Sequence, residues 1–403
     1  MASEPKVCQM SVNHFQVKDL TTRIDSLTPL RGMAALFVVL HHYSAYLLPR
    51  LGESLAGYSH FLLGSYLWVD FFFILSGFVL AHVYAQSFEQ AGYKAGYRAF
   101  IQARFARIYP LHLLILTLFV GFEFFSIAIF VIQHGGSELF SATSGYAPFT
   151  DKHSLTALAN NLLLLQGFPE GTTWNEPAWS ISAEWFAYLL FPFLVSWLTI
   201  HRKKIALLAW GGLFIGLLIG LFVLMQQTRG HLDLSGWPGM VRALFEFTMG
   251  LSLYTFYKHR LWQAVFQSPL VFPAALLLMF WMLHADVNDI FTLPVLSLLV
   301  LSAAQSKGVF AKWVNSSIPT WLGNISYSVY MTHWLIYYVS MKLWLKVMQV
   351  PLGEGLSMLA SVGLLLLYVG VVLGVSTLTY KRFELPARDY LRQARFFGRS
   401  VTA

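Results

Sequence analysis

Apolar stretches close to 20 residues long recur along the chain, separated by short links that collect its polar and basic side chains. A helix that crosses a bilayer needs about 20 mostly apolar residues, so this rhythm predicts an all-α polytopic membrane protein. Transmembrane helices are expected at 27–48, 61–85, 100–133, 178–200, 205–226, 240–257, 263–284, 290–305, 321–349 and 356–380, ten in all. The segment 154–166, SLTALANNLLLLQ, is apolar but too short to span, and reads as an interfacial or re-entrant piece. The expected division is a cytoplasmic N-terminal tail (1–26), a ten-helix membrane domain (27–382) and a basic cytoplasmic C-terminal tail (383–403).

Charge placement supports that count. With the N-terminus in the cytoplasm, 20 of the 27 Lys and Arg fall in the inside segments, and the outside loops hold Arg50, Lys152 and Arg229. Counting 154–166 as a full crossing would move the basic run HRKK to the outside and break the positive-inside pattern. The chain is 57% hydrophobic and only 11% charged, too few charges for the surface of a soluble domain. Its net charge of +8 is accounted for by the inside loops and is no nucleic-acid footprint. A single cysteine, Cys8, rules out intrachain disulfides and cysteine-rich metal sites. No zinc-type histidine spacing appears, and no metal is expected.

Against this apolar background the ionisable residues stand out, since such groups inside a membrane are costly and mark functional interiors by default. The first stretch, LTPLRGMAALFVVLHHYSAYLL, carries Arg31 and His42. Eleven residues at 100° each leave the two only about 20° apart around a helix and roughly 16 Å apart along it. His41 lies about 100° away from His42 and is not expected in the same site. Arg104 and Arg107 form an i, i+3 pair at the same membrane surface as Arg31. Three guanidiniums at one end of a bundle suit a polyanionic ligand, because Arg binds phosphate bidentately. They equally suit anchoring to lipid phosphates.

His42 lies deeper, and a neutral imidazole can take a proton from a hydroxyl if a partner fixes its tautomer. Asp70 and Glu184 are the intramembrane carboxylates available for that role, and Tyr188 shares a helix face with Glu184. Asp70 also fits as a counter-ion for Arg31 or a structural acceptor. Tyr327, Tyr330 and His333 make an i, i+3, i+6 stripe that reads either as cavity lining or as polar helix packing. Trp174, Trp179 and Trp185 fit an interfacial belt or a surface that stacks on sugars.

Six segments, in order, resemble one known family. LRGMAALFVVLHH resembles the opening signature of the acyltransferase-three superfamily of membrane O-acyltransferases, and VDFFFILSGFVLA resembles its second helix. RFARIYPLH is similar to its Arg-x-x-Arg segment and WSISAEWFAYLLFP to its Trp-Ser-x-x-x-Glu helix. LGNISYSVYMTHW and YKRFELPAR resemble its penultimate span and closing turn, so the likeness covers roughly 27–390.

The resemblance implies transfer of an acyl group, usually acetyl, from cytoplasmic acyl-CoA to a hydroxyl of an extracytoplasmic carbohydrate such as an exopolysaccharide or lipopolysaccharide. It implies a multi-pass bacterial inner-membrane protein, with His42 as the catalytic histidine supported by Asp70 and Glu184. Arg31, Arg104 and Arg107 would hold the donor, while Trp179, Tyr188, Tyr327, Tyr330 and His333 would meet substrate. The chain resembles the stand-alone type, without a fused hydrolase-like domain. His42 could act as general base on the acceptor or accept the acyl group itself. Rival expectations are a small-molecule acceptor such as a macrolide sugar, a succinyl donor, or a transporter. A transporter is disfavoured because no inverted internal repeat is visible.

Overall fold

A computed structural model describes residues 24–91, 93–136, 147–168, 173–195 and 203–394. The helices run, in chain order, α1 (Leu27–His42), α2 (Pro49–Ala56), α3 (Trp68–Ala91), α4 (Tyr93–His134) and α5 (Leu155–Leu162). They continue with α6 (Trp179–Val195), α7 (Lys203–Gln227), α8 (Gly236–Lys258), α9 (Gln263–Phe266), α10 (Val271–His284) and α11 (Thr292–Gln305). The last are α12 (Val309–Val314), α13 (Ser317–Met348), α14 (Met358–Thr379) and α15 (Leu385–Gln393). No strand occurs among the described residues, and the chain is an all-α membrane protein.

Five helical segments are long and apolar enough to cross a bilayer: Leu63–Gln86, Gly96–His134, Glu176–Val195, Leu207–Gln227 and Met358–Gln393. Leu27–Leu47 joined to Pro49–Ala56 makes a sixth if that pair, bent by 109°, is one span. Ten was the expectation, and this test does not reach it among the described residues. The shortfall has local causes. The expected helix at 263–284 is broken after Phe266, leaving α10 with 14 residues, and α11 also has 14. The body of α8 carries Arg242 and Glu246, and the body of α13 carries Asn324, Ser326, Ser328, Thr332 and His333, which lower its hydropathy. The segment around 154–166 is a helix of eight residues, α5, whose N-terminal Ser154 accepts a hydrogen bond from the Ala157 N–H. Of the expected tails, 1–23 and 395–403 lie outside the described residues, as does 196–202, where the fourth expected span ends, while α15 lies within the expected C-terminal tail.

Two close helix crossings organise the bundle. At the crossing of α1 with α13, a Cβ on Gly323 would stand 2.1 Å from the Thr28 carbonyl oxygen. At the crossing of α3 with α8, a Cβ on Gly77 would stand 1.9 Å from the Phe247 carbonyl oxygen, and one on Gly250 would stand 2.0 Å from that of Ile74. Backbones this close gain van der Waals contact that lipid tails cannot match, which is what drives helix association in a bilayer. The first crossing brings the two histidine-bearing helices together. The second crossing carries Asp70.

Candidate active site

The α1 helix presents Arg31 and His42 as its periodicity requires, and the two serve different surroundings. Arg31 lines a cavity of about 130 Å³ together with Arg104, Arg107, Glu184, Tyr188, Tyr327 and Tyr330. Seven of the expected site residues therefore share one space, contributed by α1, α4, α6 and α13. Arg104 is held by the Tyr84 hydroxyl at 3.0 Å and lies over the Tyr84 and Tyr188 rings at 5.3 and 5.9 Å. Its Nε is buried and has no hydrogen-bond partner among the described residues. Arg107 donates to Glu384 at 2.6 Å and stacks over Tyr327 at 5.3 Å. Glu184 accepts from Ser76 at 3.1 Å and from the Tyr188 hydroxyl. Tyr330 bonds the Ser180 hydroxyl at 2.6 Å and the Pro177 carbonyl at 3.0 Å. The wall is thus cationic and phenolic, with its tyrosines pinned.

His42 does not line that cavity. Its Nδ1 lies 3.1 Å from Nε2 of His333, and the rings stack with centroids 5.1 Å apart. His333 Nδ1 in turn lies 3.2 Å from the Val329 carbonyl oxygen, which can only accept. The hydrogen bonds then run in one direction: His333 Nδ1–H donates to Val329, leaving His333 Nε2 as acceptor for His42 Nδ1–H. That assignment leaves the lone pair of His42 on Nε2. No hydrogen bond joins Asp70 or Glu184 to His42 among the described residues; the side chain against its Nδ1 is another histidine. The Tyr43 hydroxyl donates to the His333 carbonyl at 2.9 Å and ties the two helices at this level. Immediately after His42, α1 loosens into a π turn, Tyr43–Leu47, a distortion that is frequent at functional sites. His41 points elsewhere, its Nδ1 3.3 Å from the Leu62 carbonyl oxygen.

On the far side of the histidine pair lies a second cavity of about 300 Å³, walled by Trp174, Trp334, Tyr337 and Tyr338 with Lys152 and Lys342. The Trp334 ring meets His42 edge-on, with centroids 5.4 Å apart. Along α13, Tyr327 and Tyr330 therefore face the first cavity, His333 the histidine pair, and Trp334 to Leu345 the second cavity.

Asp70 is fully buried in a bidentate pair with Arg242, whose Nε lies 2.9 Å from Oδ1. Glu246, one turn on from Arg242, lies 3.5 Å from the same Nε. Trp179 packs under this cluster, with the Arg242 guanidinium 5.9 Å from its ring. Two partners escaped the sequence reading. Arg242 and Asp70 are both isolated intramembrane charges of opposite sign, a clue that was available. Glu384 sits in YKRFELPAR, in a second π turn (Tyr380–Glu384), where it accepts from both Arg107 and Ser328, each at 2.6 Å. No cluster of three or more His, Cys, Asp and Glu suited to a metal occurs among the described residues.

An acyltransferase domain model matches residues 24–381, a span that takes in the arginine cavity and the histidine pair. The protein named Acyltransferase MdmB from Streptomyces mycarofaciens is 30% identical over 342 residues, 78% of this chain and 79% of that protein. Protein 2 in picA locus, from Rhizobium radiobacter, is 42% identical over 96 residues, 24% of this chain and 44% of that protein. No solved structure shows a significant match. With the family match running over residues 24–381 and these side chains gathered inside a helical bundle, the chain belongs to the acyltransferase-three family and is a membrane acyltransferase.

Proposed function

We propose that this enzyme moves an acetyl group from acetyl-CoA to a hydroxyl of a carbohydrate outside the bacterial cytoplasmic membrane, both termini facing the cytoplasm. The observation that carries this reading is a tautomer-fixed histidine standing between two cavities, one lined by arginines and the other by aromatic rings. Arg31, Arg104 and Arg107 match the phosphates of CoA, since guanidiniums bind phosphate oxygens in pairs. The pantetheine arm then threads toward His42, past Tyr188, Tyr327 and Tyr330. Glu184 orders the Tyr188 hydroxyl along that path. Asp70 is a positioning residue, acting through Arg242 on Trp179 and the α3–α8 crossing.

In the direct route, His42 Nε2 takes the proton of the acceptor hydroxyl as its oxygen attacks the thioester carbonyl carbon. The C–S bond breaks, an ester forms, and the departing CoA thiolate takes the proton back from the imidazolium. A second route is supported by the position of His42 between the cavities. Nε2 itself attacks the thioester carbonyl carbon, the C–S bond breaks and CoA leaves as the thiolate, with the acyl group on an imidazolium that keeps its Nδ1–H. The acceptor hydroxyl oxygen then attacks the acyl carbon, the C–N bond breaks to return neutral His42, and the hydroxyl proton passes through solvent to the CoA thiolate. Radiolabel retained on the protein after acetyl-CoA alone, and lost on adding acceptor, selects the second route; absence of label selects the first.

The test of the function is CoA release from acetyl-CoA by purified protein in nanodiscs, with and without a bacterial glycan extract. Wild type should release CoA faster with the extract, and His42→Ala should lower kcat by about 10²–10⁴. Succinyl-CoA in parallel tests the donor. If acetyl-CoA neither binds nor turns over, the donor assignment falls.

A further inference from the structure

We infer that the second cavity is the acceptor subsite and that it selects a sugar unit bearing an acidic group, with Lys342 as the residue that recognises the acid. The inference rests on the acyl-transfer reading above.

Four aromatic side chains, Trp174, Trp334, Tyr337 and Tyr338, face this space. Aromatic faces carry a negative quadrupole, which attracts the weakly positive C–H face of a pyranose ring. The rings are held rather than mobile. Trp174 packs on His153 with centroids 4.8 Å apart, and the Trp174 indole N–H donates to the Ser154 carbonyl at 3.3 Å. Tyr338 shares a hydrogen bond of 3.0 Å with His153 Nδ1. Trp334 joins the cavity to the reaction centre, since the same ring packs on Tyr337 at 4.8 Å and on His42 at 5.4 Å. A sugar stacked here has its hydroxyls beside the histidine.

The charges decide which sugar. Lys152 is already matched by Glu176 at 2.6 Å, and that pair is free to exchange hydrogen bonds with hydroxyls. Lys342 lies 5.7 Å over the Tyr338 ring and has no carboxylate within 4 Å among the described residues. The cavity therefore keeps one uncompensated positive charge, set against an aromatic ring. A neutral sugar leaves that charge unmatched, whereas a carboxylate on the sugar ring completes it. Burial, reinforced by the two lysines, pushes His153 below the ordinary histidine range, so it adds no second charge near neutral pH.

The experiment measures binding by thermophoresis of two fluorescently labelled tetrasaccharides of equal length, an oligouronate and a maltotetraose. The protein is the full chain in zwitterionic nanodiscs, so no net anionic headgroup competes for the lysine. Wild type should hold the oligouronate about tenfold more tightly than the neutral probe. Lys342→Gln should abolish that preference with little change for maltotetraose, Lys342→Arg should keep it, and Lys342→Glu should reverse it. Equal affinity of wild type for both probes, or an oligouronate preference that survives in Lys342→Gln, overturns the inference. A preference lost in Arg104→Gln but kept in Lys342→Gln overturns it too, by placing the anion in the arginine cavity. A preference that disappears when nanodiscs contain phosphatidylglycerol would assign the lysine to lipid headgroups and also overturn it. Acetyl-CoA turnover without sugar, measured on the same wild-type preparation, reports on the donor reading separately.

Discussion

At the residue scale, the His42–His333 pair is the feature with the clearest chemical consequence. A histidine in the orienting role differs from a carboxylate, since a neutral imidazole fixes the tautomer without placing a buried negative charge beside the base. The expectation for His333 was substrate contact, and its Nε2 lies 3.1 Å from His42 Nδ1. His333→Ala should lower kcat by about 10- to 100-fold, the usual cost of removing an orienting partner. His333→Gln should recover part of it, because an amide oxygen can accept from His42 Nδ1–H. Steady-state kinetics with KM for acetyl-CoA unchanged would separate this from damage to the donor site. Because an imidazolium has no lone pair on Nε2, the rate of wild type should also fall as pH is lowered. The Arg31-to-His42 spacing was readable from one helix, whereas the link to His333 spans 291 positions and no local period encodes it.

At the scale of elements, the α3–α8 crossing combines a close backbone approach with a buried ion cluster, and each part makes its own prediction. Gly77→Ala forces a methyl group against the Phe247 carbonyl, which overpacking makes costly by roughly 1–3 kcal/mol. Gly212→Ala, where a Cβ meets nothing within 4 Å, is the matched control with no comparable loss. Thermal unfolding of the detergent-purified variants compares them directly. Arg242→Ala leaves Asp70 and Glu246 buried without their counter-charge, a loss of about 3–5 kcal/mol. Neutralising the cluster together (Asp70→Asn, Arg242→Met, Glu246→Gln) should restore much of the melting temperature, since a buried charge cluster contributes little net stability once its members are removed together. The sequence marked Asp70 as a buried charge, and it is buried, but its partner lies 172 residues away on another helix.

At the scale of the whole molecule, the placement of Lys and Arg predicts that the N-terminus is cytoplasmic. Cys8 is the only cysteine in the chain, so a membrane-impermeant maleimide should label right-side-out vesicles only after lysis. Labelling of intact vesicles would reverse the orientation, and with it the side from which donor and acceptor arrive.

What the sequence by itself determined follows from short-range periodicity and from solvent preference. Runs of apolar residues made the chain an all-α membrane protein, and a step of eleven residues aligned Arg31 with His42. Six ordered motifs marked the family. The tertiary structure decided everything that depends on one helix meeting another. It gave His42 a histidine partner, Asp70 an arginine, and Arg107 the carboxylate of Glu384 at a separation of 277 residues. It also set two cavities along α13, with the His42–His333 pair packed on Tyr330 of one and on Trp334 of the other. Those pairings are set by where glycine-lined backbones can approach and which buried charges must be matched, conditions that exist only once the helices are packed.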